Sequence, residues 1–184
     1  SSKFVFEVRD LWPATIKAVG AINNQRILHI LETLELYLYR KAFLVVLVTN
    51  AFKADLISRK VNPDKLYVIR NGVDLSFFAG QKLESRPCHT EVFKVGYVGT
   101  HGVCQDLTQI LNVASELKDV SGLFFTFVGE GEQKEFLISH AASLNLKNVK
   151  FESMVKKDDM PDVYSDFDLV LVPLKNDELF KTVI

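Results

Sequence analysis

Apolar and polar residues recur along this chain with two periods, one typical of strands and one typical of helices. Short apolar runs, several of them rich in β-branched residues, predict strands that are buried in a sheet. These runs cover residues 4–8, 44–48, 66–69, 93–98, 123–128, 148–151 and 168–173. Between them, helical patterns cover residues 26–41, 51–60, 106–118, 132–144 and 158–165. Strands that alternate with helices in this way predict βαβ units and parallel sheets.

One polar stretch interrupts this alternation. Residues 79–91 contain glycine and proline and show no periodicity, which is typical of a surface linker. Strand–helix alternation precedes the stretch and resumes after it. The sequence therefore predicts the α/β class, with two Rossmann-like parallel-sheet halves. In such sheets ligands bind at the carboxyl ends of the strands, so we expect the functional residues in the loops there.

Composition and charge exclude several functions. The 184 residues include 22 basic and 23 acidic side chains, for a net charge of −1. We expect no nucleic-acid partner, because such binding needs a clustered basic surface. The only two cysteines, Cys88 and Cys104, have neither the spacing of a zinc site nor that of a redox motif. Residues 3–7 have a charged strand pattern rather than that of a signal peptide, and we expect a cytoplasmic protein.

The most apolar window, residues 27–48, contains four charged residues, which argues against a membrane span. Its helix carries one stripe of apolar residues at spacings of three and four: Ile27, Ile30, Leu31, Leu34 and Leu38. Tyrosine and basic residues follow at 37–41. This pattern favours a buried amphipathic helix with a basic end. Peripheral contact with a membrane surface is the alternative.

Two glycine turns each follow a strand and precede a helix. The first is Gly99-Thr100-His101-Gly102 and the second is Gly129-Glu130-Gly131. Glycine lets backbone N–H groups approach an anion, and a helix N-terminus adds a partial positive charge. The spacing matches neither the dinucleotide fingerprint nor the P-loop. From the residues alone, each turn is either a phosphate site or a structural turn.

A charged pair, Arg9-Asp10, follows the first strand and lies beside Trp12, the only tryptophan. The two side chains either pair with each other at the surface or face a cleft, where arginine can bind a phosphate. Asn71-Gly72 ends the third strand, and without a strand directly after it this turn predicts a loop rather than a hairpin.

Seven stretches together resemble the GT-B glycosyltransferases of family 4, the group 1 glycosyl transferases, and most closely the bacterial branch that makes surface polysaccharides and O-antigen. The stretches are FEVRDLWP (6–13), VVLVTNAFKADL (45–56), YVIRNGVDLSFF (67–78), YVGTHG (97–102), FVGEGEQKEFL (127–137), LKNVKF (146–151) and DMPDVYSDFDLVLVPLKNDELFKTVI (159–184). They lie in the order that the family has. The resemblance implies an acceptor domain at 1–74, a linker at 75–91 and a donor-binding domain at 92–184.

The resemblance also implies an activity. We expect retaining transfer of a sugar from a nucleotide diphosphate sugar to a saccharide or lipid-linked acceptor, with no bound metal and no other cofactor. We expect it in the cytoplasm or at the inner face of the membrane. A nucleotide-sugar 2-epimerase and a non-catalytic nucleotide-sugar-binding homologue are the alternatives. The sugar, base, acceptor and oligomeric state stay open.

The resemblance assigns roles to individual residues. Arg9 and Asp10 match a pair near the reacting groups, and Asn71 and Gly72 match the turn before the linker. The implied donor-binding residues are Gly99, Thr100, His101, Gly102, Gly129, Glu130, Gly131, Met154, Val155, Phe180, Lys181 and Thr182. Many relatives carry an arginine and a lysine after the first glycine turn, but residues 103–108 contain neither. We therefore expect Arg9, Lys181 or residues beyond this chain to supply the positive charge.

The family's pair of glutamates would lie beyond Ile184, and the first part of the acceptor domain would precede residue 1. We therefore expect this chain to be a central fragment that is inactive alone.

Overall fold

The computed structural model describes residues 2–78 and 91–182. Its internal contacts group residues 1–73 with 176–184 in one compact unit and residues 74–175 in a second. Each unit contains a parallel β-sheet with helices between the strands. The α/β class with two Rossmann-like halves is thus confirmed. The assignment of the halves to acceptor and donor stays a prediction, and residues 79–90 of the expected linker lie outside the described residues.

The first unit contains a three-stranded sheet in the order β1-β2-β3. The strands are β1 (Val5–Val8), β2 (Leu44–Leu47) and β3 (Leu66–Val68), and the helices are α1 (Ala14–Ala18), α2 (Gln25–Lys41) and α3 (Asn50–Ser58). Central β2 pairs with both neighbours, and Leu47 lies opposite Val8 and Val68. Helix α1 was not predicted, because five residues are too few to show a helical period.

The core of this unit forms around β2. Val45 and Leu47 are fully buried, and Phe52 and Leu56 of α3 belong to the same cluster. The hydroxyl of Thr49 accepts a hydrogen bond from the N–H of Phe52 at 3.1 Å, which caps α3 directly after the strand. Residues 176–182 group with this unit, although the sequence-based boundaries place them in the donor half. Leu179 packs against the core.

Helix α2 turns a different side to the core than its apolar spacing predicts. Ile27, Ile30 and Leu34 are 45%, 66% and 50% exposed, so the expectation of a buried apolar stripe was wrong for these three residues. The helix instead buries Leu28, Glu35 and Tyr39. The inward side carries a polar cluster: Glu35 accepts hydrogen bonds from Tyr39 on its own helix and from Arg59 just after α3.

The second unit contains a four-stranded sheet in the order β6-β5-β4-β7. The strands are β4 (Phe93–Val98), β5 (Leu123–Val128), β6 (Val149–Glu152) and β7 (Leu169–Leu171), and the helices are α4 (Leu107–Glu116), α5 (Lys134–Ser143) and α6 (Met160–Ser165). The chain moves outward from β4 to β6 and then crosses to β7 on the other side of β4. The carboxyl end of β4 is therefore a topological switch point, the usual ligand position in such sheets.

Apolar side chains of β4, β5, α4 and α5 form the core of this unit: Val95, Tyr97, Leu107, Leu111, Ala114, Phe125, Phe127, Leu137 and Ala141.

No helix within residues 2–78 and 91–182 is long and apolar enough to cross a membrane.

Candidate functional site

Three loops that follow β4, β5 and β6 meet at the carboxyl edge of the second sheet. They line an open cavity of about 190 Å³. Six of the residues expected to bind the donor line this cavity: Gly99, Thr100, Gly129, Glu130, Met154 and Val155. Residues that are far apart in sequence thus meet at the switch point, while their contact with a donor stays a prediction.

The two glycine loops pack backbone against backbone. Gly129 has a φ of +142°, and a Cβ there would lie 2.0 Å from the carbonyl oxygen of Gly99. A Cβ on Gly131 would lie 2.4 Å from the carbonyl oxygen of His101. The N–H of His101 donates to the carbonyl of Glu130 at 2.9 Å, so the contact is also hydrogen-bonded. Only glycine fits at these two positions, whether or not a ligand binds.

The hydrogen bonds of these loops leave some N–H groups available. Gly99 donates to Val128 and Gly129 donates to Glu152, at 3.0 and 3.2 Å. Among the described residues, the N–H groups of four other loop positions have no acceptor: Thr100, Gly102, Glu130 and Gly131. An anion such as a diphosphate could accept hydrogen bonds from unpaired N–H groups of this kind.

His101 faces the core rather than the cavity. Its side chain is fully buried, and its ring lies 5.8 Å from that of Tyr97 and about 6 Å from those of Phe127 and Phe151. Neither ring nitrogen has a partner within the described part of the chain. Burial lowers the pKa of His101, and the nearby charge of Lys134 lowers it further. The residue was expected to bind the donor, but in this conformation it positions the loops through its backbone.

Lys134 binds residues of the loops around the cavity and was not identified from the sequence. Its ammonium group donates to the carbonyls of Gly129 and Glu152 at 2.9 and 3.0 Å, and to the carboxylate of Glu130 at 2.7 Å. The pKa of Glu130 lies below its usual value, mainly because of this hydrogen bond from Lys134. The sequence shows this pair only as a lysine four residues after a glutamate, and the helical pairing rule does not apply to it, because Glu130 lies in the loop before α5.

Lys175 is a second cation that the sequence did not indicate. It lines a cavity of about 150 Å³ with Gly102 and the first residues of α4. Its N–H donates to the carbonyl of Cys104 at 2.7 Å, which holds the segment after β7 beside the first glycine loop. Asp106 lines the same cavity and contributes a negative charge. The N-terminus of α4 lies at the same cavity, so this side of the loop combines one cation, one carboxylate and a helix N-terminus.

Arg9 and Asp10 are both exposed after β1. Neither forms an ion pair with the other or with another residue of the described ranges. Asn71 and Gly72 are likewise exposed after β3, and a Cβ on Gly72 would meet nothing within 4 Å. Packing therefore restrains none of these four residues in this structure, and their roles stay predictions.

Phe180, Lys181 and Thr182 form one 3₁₀ turn in the first unit. Phe180 is buried, and Lys181 is exposed and paired with Glu178. The carbonyl of Thr182 accepts a hydrogen bond from the hydroxyl of Thr49 at 2.9 Å. Their expected contact with the donor stays a prediction. No group of three or more metal-ligating side chains occurs among the residues that the structure describes.

Parallel sheets in two units, with interlocked glycine loops at a switch point, define an α/β protein with two Rossmann-like units. The chain belongs to the group 1 glycosyl transferases, because the family model "Glycosyl transferases group 1" matches residues 84–183. A comparison with curated proteins gave no match.

Solved structures show the same fold. A mutant of TarM from S. aureus, in complex with fondaparinux, alpha-GlcNAc-glycerol and UDP, is 22% identical, with a TM-score of 0.58 over 74% of this chain and 27% of its own. HepE from Anabaena, in complex with UDP-glucose, is 20% identical, with a TM-score of 0.67 over 91% of this chain and 46% of its own. WaaG, a glycosyltransferase involved in lipopolysaccharide biosynthesis, is 16% identical, with a TM-score of 0.69 over 94% of this chain and 50% of its own. The chain thus spans between about a quarter and one half of the length of these proteins.

Proposed function

We propose that this chain is the central part of a retaining family 4 glycosyltransferase of bacterial surface polysaccharide synthesis, in the branch that makes O-antigen. The enzyme would move a sugar from a nucleotide diphosphate sugar to a saccharide or lipid-linked acceptor, without a metal or other cofactor. Its work would be done in the cytoplasm, at the inner face of the membrane. Membership of the group 1 family supports this, as do neighbours crystallised with UDP and UDP-glucose.

One observation carries the proposal. The unpaired N–H groups of Thr100, Gly102, Glu130 and Gly131 lie in two loops that hydrogen bonds and close packing hold together. Loops that are already ordered lose little conformational entropy when an anion binds. As the glycosidic bond breaks, negative charge grows on the leaving diphosphate. Fixed N–H groups aimed at it would stabilise this charge more than that of the bound substrate.

Cations near the loops would add to this effect. Lys175 lines the cavity beside Gly102 and would add positive charge near the diphosphate. Lys134 is bonded to the loop carbonyls and to Glu130 and would act on the loops. In the full-length enzyme Arg9 would bind phosphate, since guanidinium matches phosphate geometry. Asp10 would lie beside it near the reacting sugar, Asn71 and Gly72 would form the turn between the domains, and Phe180, Lys181 and Thr182 would reach the donor's phosphates and sugar.

A titration of the 184-residue chain with UDP and with GDP, followed by calorimetry, tests the donor site. We expect saturable binding of one of these nucleotides and none of the matching nucleoside, which lacks the diphosphate. Lys175→Gln should weaken the diphosphate affinity by about fivefold or more, as expected for loss of one charged hydrogen bond. Lys147→Gln, at an exposed lysine away from both cavities, is the control. No binding of either nucleotide up to millimolar concentration would overturn the proposed site.

A second experiment tests catalysis in the full-length protein. Arg9→Ala should lower the transfer rate by about an order of magnitude or more, because a charge on the leaving diphosphate would lose its partner. Arg70→Ala, at another exposed arginine, is the control. Unchanged kinetics in Arg9→Ala would remove Arg9 from the site, and sugar transfer by the 184-residue chain alone would contradict its description as an inactive fragment.

A further inference from the structure

The ammonium group of Lys134 holds the peptide group between Gly129 and Glu130 in one orientation. It donates to the carbonyl of Gly129 at 2.9 Å, and no other donor to this carbonyl occurs within residues 2–78 and 91–182. The side chain of Lys134 is only 12% exposed, and its ammonium is also bonded to the carbonyl of Glu152 at 3.0 Å and to the carboxylate of Glu130 at 2.7 Å. Its position is therefore set by the ends of both β5 and β6.

The bonded carbonyl decides where the N–H of Glu130 points. The carbonyl and the N–H of a planar trans peptide group point in opposite directions. The peptide between Gly129 and Glu130 is trans, since the only cis peptide of the described residues is Trp12-Pro13. The N–H of Glu130 therefore points away from the ammonium of Lys134. Gly129 and Glu130 line the cavity of about 190 Å³, whereas Lys134 does not.

Backbone bonds orient the neighbouring N–H groups instead. The carbonyl of Glu130 accepts from the N–H of His101 at 2.9 Å, and the carbonyl of His101 accepts from the N–H of Gln133 at 3.0 Å. The same peptide geometry turns the N–H groups of Gly131 and Gly102 away from these bonds. Of the N–H groups of Glu130, Gly131 and Gly102, only that of Glu130 thus depends on a side chain, which a substitution can remove.

Gly129 makes this restraint necessary. Glycine has a wide range of backbone angles, so the peptide group after it can turn over with little movement of the chain. The φ of Gly129 is +142°, outside the range that residues with a side chain favour. A peptide group that turned over would place a carbonyl oxygen where the N–H now lies, and that oxygen would repel an anion. A donor fixed behind the carbonyl favours the orientation that suits an anion.

We propose that Lys134 is a positioning residue for the donor diphosphate. By bonding the carbonyl of Gly129, it keeps the N–H of Glu130 turned toward the cavity, where a diphosphate oxygen can accept its hydrogen bond. The ammonium itself has three protein acceptors and does not touch the diphosphate, so Lys134 acts through the orientation of a peptide group. This inference rests on the proposed function and deepens it, because it names what orients one of the four N–H groups.

The orientation of this N–H can be measured without a ligand. Residual dipolar couplings of the isotope-labelled 184-residue chain report the direction of each N–H bond. In Lys134→Met the coupling of Glu130 should change, while those of Gly131 and Gly102 should not. Lys134→Arg, which keeps a cationic donor, and Lys147→Met, at an exposed lysine, should leave all three unchanged. Lys134→Gln, whose side chain is one atom shorter, replaces Lys134→Met if that variant does not fold.

Binding of inorganic pyrophosphate, UDP and GDP separates orientation from charge. By calorimetry, Lys134→Met should bind the anion that the unmodified chain binds about tenfold or more weakly, as expected for loss of one N–H donor to a charged group. Lys134→Arg should bind like the unmodified chain. Glu130→Gln/Lys134→Met also removes the carboxylate that the lysine neutralises, and it should stay as weak as Lys134→Met.

Two results would overturn the inference alone, in a chain that binds nucleotide: an unchanged coupling of Glu130 in folded Lys134→Met, or full affinity in Glu130→Gln/Lys134→Met. The second result would mean that repulsion by the Glu130 carboxylate, and not the orientation of the peptide group, weakens binding. An unmodified chain that binds none of the three anions would overturn the proposed donor site and this inference with it. The two failures are therefore distinguishable.

Discussion

Gly129 allows the loops after β4 and β5 to touch. Its φ of +142° is unfavourable for a residue with a side chain, and its position leaves no room for a Cβ beside the carbonyl of Gly99. Gly72 differs, because it has open space around it and no left-handed φ. Packing therefore requires glycine at position 129 but not at position 72.

We predict that Gly129→Ala lowers the free energy of unfolding by about 2–4 kcal/mol, since backbone strain and a clash add together. Gly72→Ala, the control, should change it by less than about 0.5 kcal/mol. Urea unfolding followed by circular dichroism measures both. An equal effect of the two substitutions would contradict the close packing of the glycine loops.

His101 predicts a dependence of stability on pH. Burial lowers its pKa from the ordinary value of 6.5, with Lys134 also lowering it and Glu130 opposing. Below pH 6.5 the unfolded chain binds a proton that the folded chain does not, so stability falls as the pH decreases toward the folded pKa. His101→Leu should reduce this slope, whereas His29→Gln, at an exposed histidine of α2, should not. Urea midpoints at pH values from about 7.5 to about 5 measure the effect, and an unchanged slope in His101→Leu would contradict it.

At the scale of elements, α2 and the residue after α3 are joined by a buried polar cluster. The hydroxyl of Tyr39 donates to Glu35 at 2.6 Å, and Arg59 pairs with the other carboxylate oxygen of Glu35 at 2.5 Å. Burial is the main cause that raises the pKa of Tyr39 well above its usual value, with the Glu35 hydrogen bond adding to it. A buried carboxylate is stable only when its hydrogen bonds are made.

We predict that Tyr39→Phe lowers the free energy of unfolding by about 1–3 kcal/mol, because Glu35 loses a donor while the ring stays in place. Tyr37→Phe is the matched control on the same helix, where the side chain is 54% exposed, and its effect should be near zero. Thermal unfolding measures both variants. A neutral Tyr39→Phe would mean that the bond to Glu35 contributes nothing to stability.

Lys134 joins α5 to the ends of β5 and β6 through its bonds to the carbonyls of Gly129 and Glu152. Lys134→Met keeps most of the side-chain length but removes the donor of the Gly129 carbonyl and leaves the Glu152 carbonyl only the N–H of Gly129. We therefore predict that it lowers the free energy of unfolding by about 1–3 kcal/mol. Lys147→Met, at an exposed lysine before β6, should change stability by less than about 0.5 kcal/mol. Chemical unfolding compares the two, and equal stabilities would show that the ammonium group does not hold these strand ends.

At the scale of the whole molecule, the unpaired N–H groups predict that a nucleotide binds to the second unit. In the isotope-labelled 184-residue chain, UDP or GDP should shift the amide resonances of Thr100, Gly102, Glu130 and Gly131 most strongly, because those N–H groups are unpaired. The matching nucleoside should not shift the resonances of these four amides, since it lacks the diphosphate. Two-dimensional amide spectra record the shifts. The largest shifts in β1, β2 or β3 would assign nucleotide binding to the first unit instead.

Much of the fold was predictable, because strands and helices repeat with local periods that a sequence displays. The limits of β4 and β5 agree to the residue with the apolar runs at 93–98 and 123–128. The candidate site was predictable in part: the loops after β4, β5 and β6 do meet around one cavity. Their meeting follows from parallel pairing, which brings the carboxyl ends of successive strands to one edge.

The sequence by itself therefore determined the α/β class, the order of the elements and the edge of the sheet where the candidate site lies. Only the tertiary structure decided which side of α2 is exposed, that the His101 side chain belongs to the core, and that Lys134 and Lys175 lie beside the glycine loops. The reason is physical. Periodicity shows that a helix has an apolar side, but contacts formed on folding decide which side is buried. In α2 these are the hydrogen bonds of Glu35 with Tyr39 on the same helix and with Arg59 after α3.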